Sequence, residues 1–212
     1  MLKMYQENKP QYRILLLIAL AHGLNDLIQG VIPSIYPALQ SKYALTMAQV
    51  GVITLCYQLS ASILQPLVGN YTDKHPKPYS QVLGMAFTTM GIVSLSLASS
   101  YTAILCSVVF IGVGSSVFHP ESSRVAFLAS GGRRSFAQAI FQLGGNFGTA
   151  LAPLLVILLL FSKKVIDGRI VEESNQGNLI WFAGFSIFAM VILLLIGKWR
   201  SILLKLLKKK AK

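Results

Sequence analysis

Residues 102–124 read TAILCSVVFIGVGSSVFHPESSR. From Thr102 to Phe118 nothing is charged, and then His119, Glu121 and Arg124 arrive within two helical turns. A helix of about 20 apolar residues crosses a hydrocarbon core roughly 30 Å thick, so this stretch is long enough to span one. It ends, however, in groups that a bilayer tolerates only when they pair, shed their charge or line water. Taken alone, Glu121 and Arg124 also suit the last turns of a span at the membrane interface, so the rest of the chain has to decide their role.

The stretch has five companions, at 14–39, 47–69, 80–98, 136–161 and 178–198. Of the 212 residues, 54% are hydrophobic and 12% charged, about half the charge of an ordinary soluble domain, which is roughly 25% charged. Mean hydropathy is +0.61. A soluble globular protein and a disordered chain are both excluded. The expected fold is an all-α membrane protein of six transmembrane helices at 14–198. Residues 1–13 precede it and a basic tail follows at 199–212. The apolar start holds Ala19-Leu20-Ala21, which mimics a leader-peptide cleavage site, but apolar character resumes after Asp26, so a retained first span is expected. Cys56 and Cys106 lie inside apolar runs and are read as packing residues.

The net charge of +12 comes from 19 Lys and Arg against 7 Asp and Glu. The basic residues sit at the ends of apolar runs rather than on one solvated face, which argues for a lipid bilayer and against nucleic acid. With the amino terminus inside, Lys42, Lys163, Lys164 and Arg169 alone fall outside and every other basic residue falls inside. The positive-inside rule therefore predicts a multi-pass protein of the inner (plasma) membrane with both termini cytoplasmic. The long loop at 162–177 sets Asp167, Glu172 and Glu173 against its three basic residues and reads as solvated. Among the tail's lysines stand Ile202, Leu203, Leu206 and Leu207, the pattern of an amphipathic helix on an anionic leaflet.

Spans one to three echo spans four to six. Tyr57-Gln58-Leu59 matches Phe141-Gln142-Leu143, Gln65-Pro66 matches Ala152-Pro153, and His22 near Asp26 matches His119 near Glu121. Three spans per unit make the two units inverted, as within the six-helix halves of transporters.

Two clusters need a reason to stand in lipid. His22 and Asp26 are four apart and share a helical face, with Asn25 beside them. A carboxyl held between a dry surrounding and a nearby cation exchanges protons near neutral pH; a polar knot joining two helices is the plainer alternative. Glu121 and Arg124 are three apart and can pair on one face, and protonation of Glu121 would free Arg124 for an anionic substrate. Two histidines and two carboxylates could hold a divalent cation, but no compact ligand motif groups them, so no metal is expected. No nucleophile motif is present, and catalysis is not expected. Gly144 and Gly148 have the Gly-x-x-x-Gly spacing of close helix packing.

The loop after span two, Gly69-Asn70-Tyr71-Thr72-Asp73-Lys74, resembles the Gly-x-x-x-Asp-Arg/Lys signature of the major facilitator superfamily. Pro76 and Pro78 depart from it where a glycine and a basic residue are usual, and Thr149 stands where that superfamily's antiporter signature has proline. The strings HGLND (22–26), QPLVGNYTDK (65–74), GVGSSVFHPESSRVA (112–126) and FQLGGNFG (141–148) are similar to the fosmidomycin-resistance family within that superfamily. The resemblance covers nearly all of 14–198. It implies one six-helix half of a twelve-helix transporter that exports a small phosphonate antibiotic in exchange for protons, with no cofactor beyond the proton gradient. Carried onto this chain, it makes Asp26, Glu121, His22 and His119 the proton-coupling residues. Arg124, Asn25, Gln58, Gln142 and Asn146 become substrate contacts, and Gly69, Asp73 and Lys74 a cytoplasmic gate. A six-span chain of this kind needs a second half or a homodimer; the rival expectation is a truncated, non-transporting membrane module.

Overall fold

The computed structural model describes residues 9–166 and 169–210, with side chains described outside 163–172 and as far as Leu203. Residues 1–8, Asp167, the charge balance of the long loop, and the tail's Leu206 and Leu207 lie outside what is described. Among the described residues seven α-helices form: α1 (Tyr12–Ser34), α2 (Tyr36–Tyr43), α3 (Met47–Lys74), α4 (Ser80–Leu97), α5 (Tyr101–Leu128), α6 (Arg134–Leu160) and α7 (Ile180–Lys210). Six segments among them are long and apolar enough to cross a membrane; α2 is too short.

The first expected span divides. Pro37 sits in the first turn of α2 and cannot donate to the carbonyl of Pro33, so the helix breaks at Ile35. Local chemistry fixes other ends. Thr46 and Gln49 form a reciprocal capping box at the start of α3, with Thr46 N donating to Gln49 Oε1 at 2.8 Å. The Ser100 hydroxyl accepts from Ala103 N at 3.2 Å to cap α5.

The long loop carries a ladder where a plain connection was expected: Phe161–Ile166 (β1) and Arg169–Ser174 (β2) pair antiparallel, with Lys163 in register with Glu172 and Val165 with Ile170. The tail also differs: it is not a separate helix, because α7 runs on without a break through Lys210.

The packing carries the inverted repeat. Helix α1 lies along α6, and α3 lies along α5, so the first helix of each unit packs on the second helix of the other. Buried apolar side chains gather in two groups. One, around Ile32, Ile53, Ile92, Ile104 and Leu160, sits toward the hairpin end. The other, around Leu15, Ile18, Met85, Phe118 and Leu193, sits toward the basic end. On α1 the seam between them falls between Ala21 and Leu27, where His22, Asn25 and Asp26 stand. Helix α3 buries only Ile53, Ala61 and Thr72 and leaves Leu55, Leu59, Ile63 and Leu67 exposed. Helix α6 likewise exposes Leu143, Phe147, Leu154 and Leu158.

Candidate functional site

Two polar chambers meet at Asp26. The larger, about 640 Å³, is walled by residues of α1, α3, α5 and α6, among them His22, Gln65, His119, Gln138, Gln142 and Asn146. The smaller, about 290 Å³, is walled by Gln29, Tyr36, Thr54, Tyr57, Gln58 and Thr149. Asp26 belongs to both walls. Among the described residues, neither chamber is lined by lysine or arginine.

The expected face of α1 is in place. His22 Nε2 stands 3.1 Å from Asp26 Oδ2, and the His22 ring stacks on Phe141 with centroids 3.8 Å apart. Its Nδ1 donates to the Phe141 carbonyl at 2.8 Å. His119 Nε2 lies 3.7 Å from Asp26 Oδ1, across from α5. Asn25 is fully buried and donates from Nδ2 to Asp26 Oδ1 at 3.1 Å. It therefore positions the carboxylate and lines neither chamber, unlike the substrate contact expected of it. Gln142 and Asn146 face the larger chamber and Gln58 the smaller. Gln58 and Gln142 are repeat-related, and inversion sets them in different chambers.

Sequence reasoning missed the groups that steer this cluster. Gln29 Oε1 accepts from the hydroxyls of Tyr57 and, at 3.3 Å, Ser115. Its Nε2 then faces His119 Nε2 at 3.4 Å. Tyr57 stood beside the noticed Gln58, but its contact with α1 crosses 28 residues of chain.

Glu121 and Arg124 stand elsewhere. Helix α5 continues past Pro120 to Leu128, so they do not stand at a frayed helix end. Glu121 is fully buried, with Oε2 accepting from Ser80 Oγ at 2.8 Å and from Arg200 Nη1. Its Oε1 lies 3.1 Å from Arg124 Nη1, the three-apart pairing expected. Arg124 also pairs with Asp73 and donates to the Thr72 carbonyl at 2.6 Å. Helices α3, α4, α5 and α7 are thereby tied at the basic end. Neither Glu121 nor Arg124 lines a chamber, so the expectations of a proton carrier and an anion contact there are not met by their placement. Arg200, only 1% exposed, was read as one more tail charge. Its signal was an arginine following an apolar run by a single turn. Arg124 and Arg200 thus leave the set of loop charges, and the asymmetry of the remaining basic residues is unchanged.

The gate residues lie beside this network. Gly69 faces Pro120, Asp73 is mostly exposed at 69% while paired with Arg124, and Lys74 is exposed at the end of α3. Gly23, Gly144 and Gly148 bring α1 and α6 into backbone contact, where a Cβ on Gly148 would strike the Gly23 carbonyl.

The superfamily profile described as Major Facilitator Superfamily matches residues 18–210. The chain is 49% identical over 193 residues to the fosmidomycin resistance protein of Escherichia coli K12, covering 91% of this chain and 45% of that protein. It is 42% identical over 188 residues to an uncharacterized MFS-type transporter of Bacillus subtilis 168, covering 89% of this chain and 43% of that one. It thus spans about half the length of the curated relatives it matches, and corresponds to an amino-terminal half. The fold is shared with an inward-facing bacterial homolog of the human lysosomal transporter Spinster, at TM-score 0.69, 18% identity, and 87% and 42% coverage of the two chains. It is shared also with outward-facing FucP, at TM-score 0.61, 16% identity, and 89% and 49% coverage. Six spans in two inverted units, polar chambers between them and a profile match along nearly the whole length agree: this chain belongs to the Major Facilitator Superfamily.

Proposed function

We propose that the chain forms the amino-terminal half of a secondary transporter that exports a small anionic compound, fosmidomycin among them, using the proton gradient. One observation carries this reading: a carboxylate and two imidazoles meet where two chambers join, at the seam between two apolar clusters of the bundle. Such groups are retained in a membrane for transport pathways and ion relays. The fosmidomycin resistance protein of E. coli supports the substrate class. Asp26, His22 and His119 are the residues assigned to the coupling ion, and Gln58, Gln142 and Asn146 to the substrate. The clamp of Asp73, Arg124, Glu121 and Arg200, with Gly69 and Lys74 beside it, is assigned to the gate.

The protein lies in the plasma membrane with both termini cytoplasmic, so the basic end faces the anionic leaflet. The exposed apolar faces of α3 and α6 flank the chambers, where a second six-helix half or a second copy would close the remaining wall.

Survival tests the proposal. A fosmidomycin-sensitive bacterium expressing the chain with a second six-helix half should tolerate more antibiotic, and Asp26→Asn should abolish the gain. Protection from the chain alone would indicate a homodimer as the unit. No protection from a well-inserted pair would overturn export and leave a non-transporting membrane module. A protonophore should stop efflux from loaded vesicles, and undiminished efflux would remove the proton drive.

A further inference from the structure

The protons around Asp26 can be located from their partners. The Phe141 carbonyl can only accept, so His22 carries a proton on Nδ1 at 2.8 Å. In the neutral ring, Nε2 then presents a lone pair to Asp26 Oδ2, 3.1 Å away. Two hydroxyls donate to Gln29 Oε1, which turns the Gln29 amide nitrogen toward His119 Nε2. An amide nitrogen only donates, so the His119 Nε2 lone pair receives the Gln29 amide, and a metal ion there would take that donor's place. Two imidazoles and a carboxylate from α1 and α5 thus converge, with ligand atoms all within 4.8 Å of one another.

Two neutral imidazoles and one carboxylate form a donor set that suits a first-row divalent ion such as Zn²⁺ or Co²⁺. His22 already has the outer hydrogen bond that such ligands use, from its second nitrogen to a backbone carbonyl. The carboxylate is steadied by Asn25. All three ligands border the larger chamber, so a three-ligand site would keep an open position toward it. Among the described residues, that chamber has no lysine or arginine in its wall. We propose that His22, Asp26 and His119 form a divalent transition-metal site open to the larger chamber, where the bound ion supplies the positive charge that receives an anionic ligand. The anion clause rests on the export reading above; the metal site does not, and its ion competes with the coupling protons for the same three groups.

Co²⁺ is the probe, because its visible absorption reports tetrahedral nitrogen and oxygen coordination. The purified chain, freed of any histidine tag, should bind one Co²⁺ with such a band, and Zn²⁺ should displace it. His22→Ala, His119→Ala and the near-isosteric Asp26→Asn should each weaken binding about tenfold or more, since each removes a ligand of three. His75→Ala, which alters the exposed third histidine at the end of α3, should leave binding unchanged. Methylphosphonate should then shift the band in the wild-type chain. Absence of saturable binding, or binding that survives the His22→Ala/His119→Ala pair, overturns the site. Binding with no response to methylphosphonate overturns the anion clause. The cobalt readout needs no transport, so its failure is separable from failure of the survival test.

Discussion

Glu121 is fully buried between two arginines, with Arg124 on its own helix and Arg200 reaching in from α7. Among the described residues, Arg200 Nε and Nη2 have no hydrogen-bond partner, so its charge is balanced through Glu121. Removing one member of a buried pair typically costs about 3–5 kcal/mol, because the other charge is left uncompensated. Glu121→Gln should therefore lower thermal stability in detergent markedly, and adding Arg200→Met should recover part of the loss. Equal stability of Glu121→Gln and wild type would remove the pair as a structural tie. His119 and Glu121 are neighbours in sequence, yet they serve different clusters. Two residues on a helix are about 200° apart, so His119 turns to Asp26 while Glu121 turns to Arg200.

At the scale of elements, the α1–α6 contact depends on residues without side chains. Gly23, Gly144 and Gly148 let the two backbones touch, and Gly145 leaves the space that His22 and Asp26 fill. A Cβ on Gly145 would stand 2.6 Å from Asp26 Oδ2. Gly148→Ala should push α1 from α6 and destabilise the bundle by about 1–3 kcal/mol, the usual cost of overpacking; chemical denaturation in mixed micelles measures it. Gly145→Ala should instead disturb the cluster selectively, lowering export or cobalt affinity more than stability. The Gly-x-x-x-Gly spacing was legible in the sequence because helical periodicity is local. The hairpin was less so: its ladder pairs residues up to thirteen apart, from Phe161 to Ser174, and its short alternation resembles a polar loop.

At the scale of the molecule, α3 leaves Leu55, Leu59, Ile63 and Leu67 uncovered beside a polar chamber. An apolar rim around a polar hollow is the shape of a wall awaiting its counterpart. A separately expressed second half should copurify with the tagged chain, and Leu59→Gln with Leu67→Gln should release it. Undiminished copurification would place the contact elsewhere, with the exposed face of α6 as the remaining flank.

Much of this protein was determined by the sequence itself. The spans, their inverted pairing and the His22–Asp26 face rest on hydropathy and on spacings of three or four residues, which hold whatever the helix packs against. The tertiary structure alone decided which ionisable groups of different helices meet. His119 lies 93 residues from Asp26 and Arg200 lies 79 from Glu121. Such pairs come together only when α5 crosses α1 and α7 reaches α5. Helix periodicity says which side chains share a face, and packing alone says which faces meet.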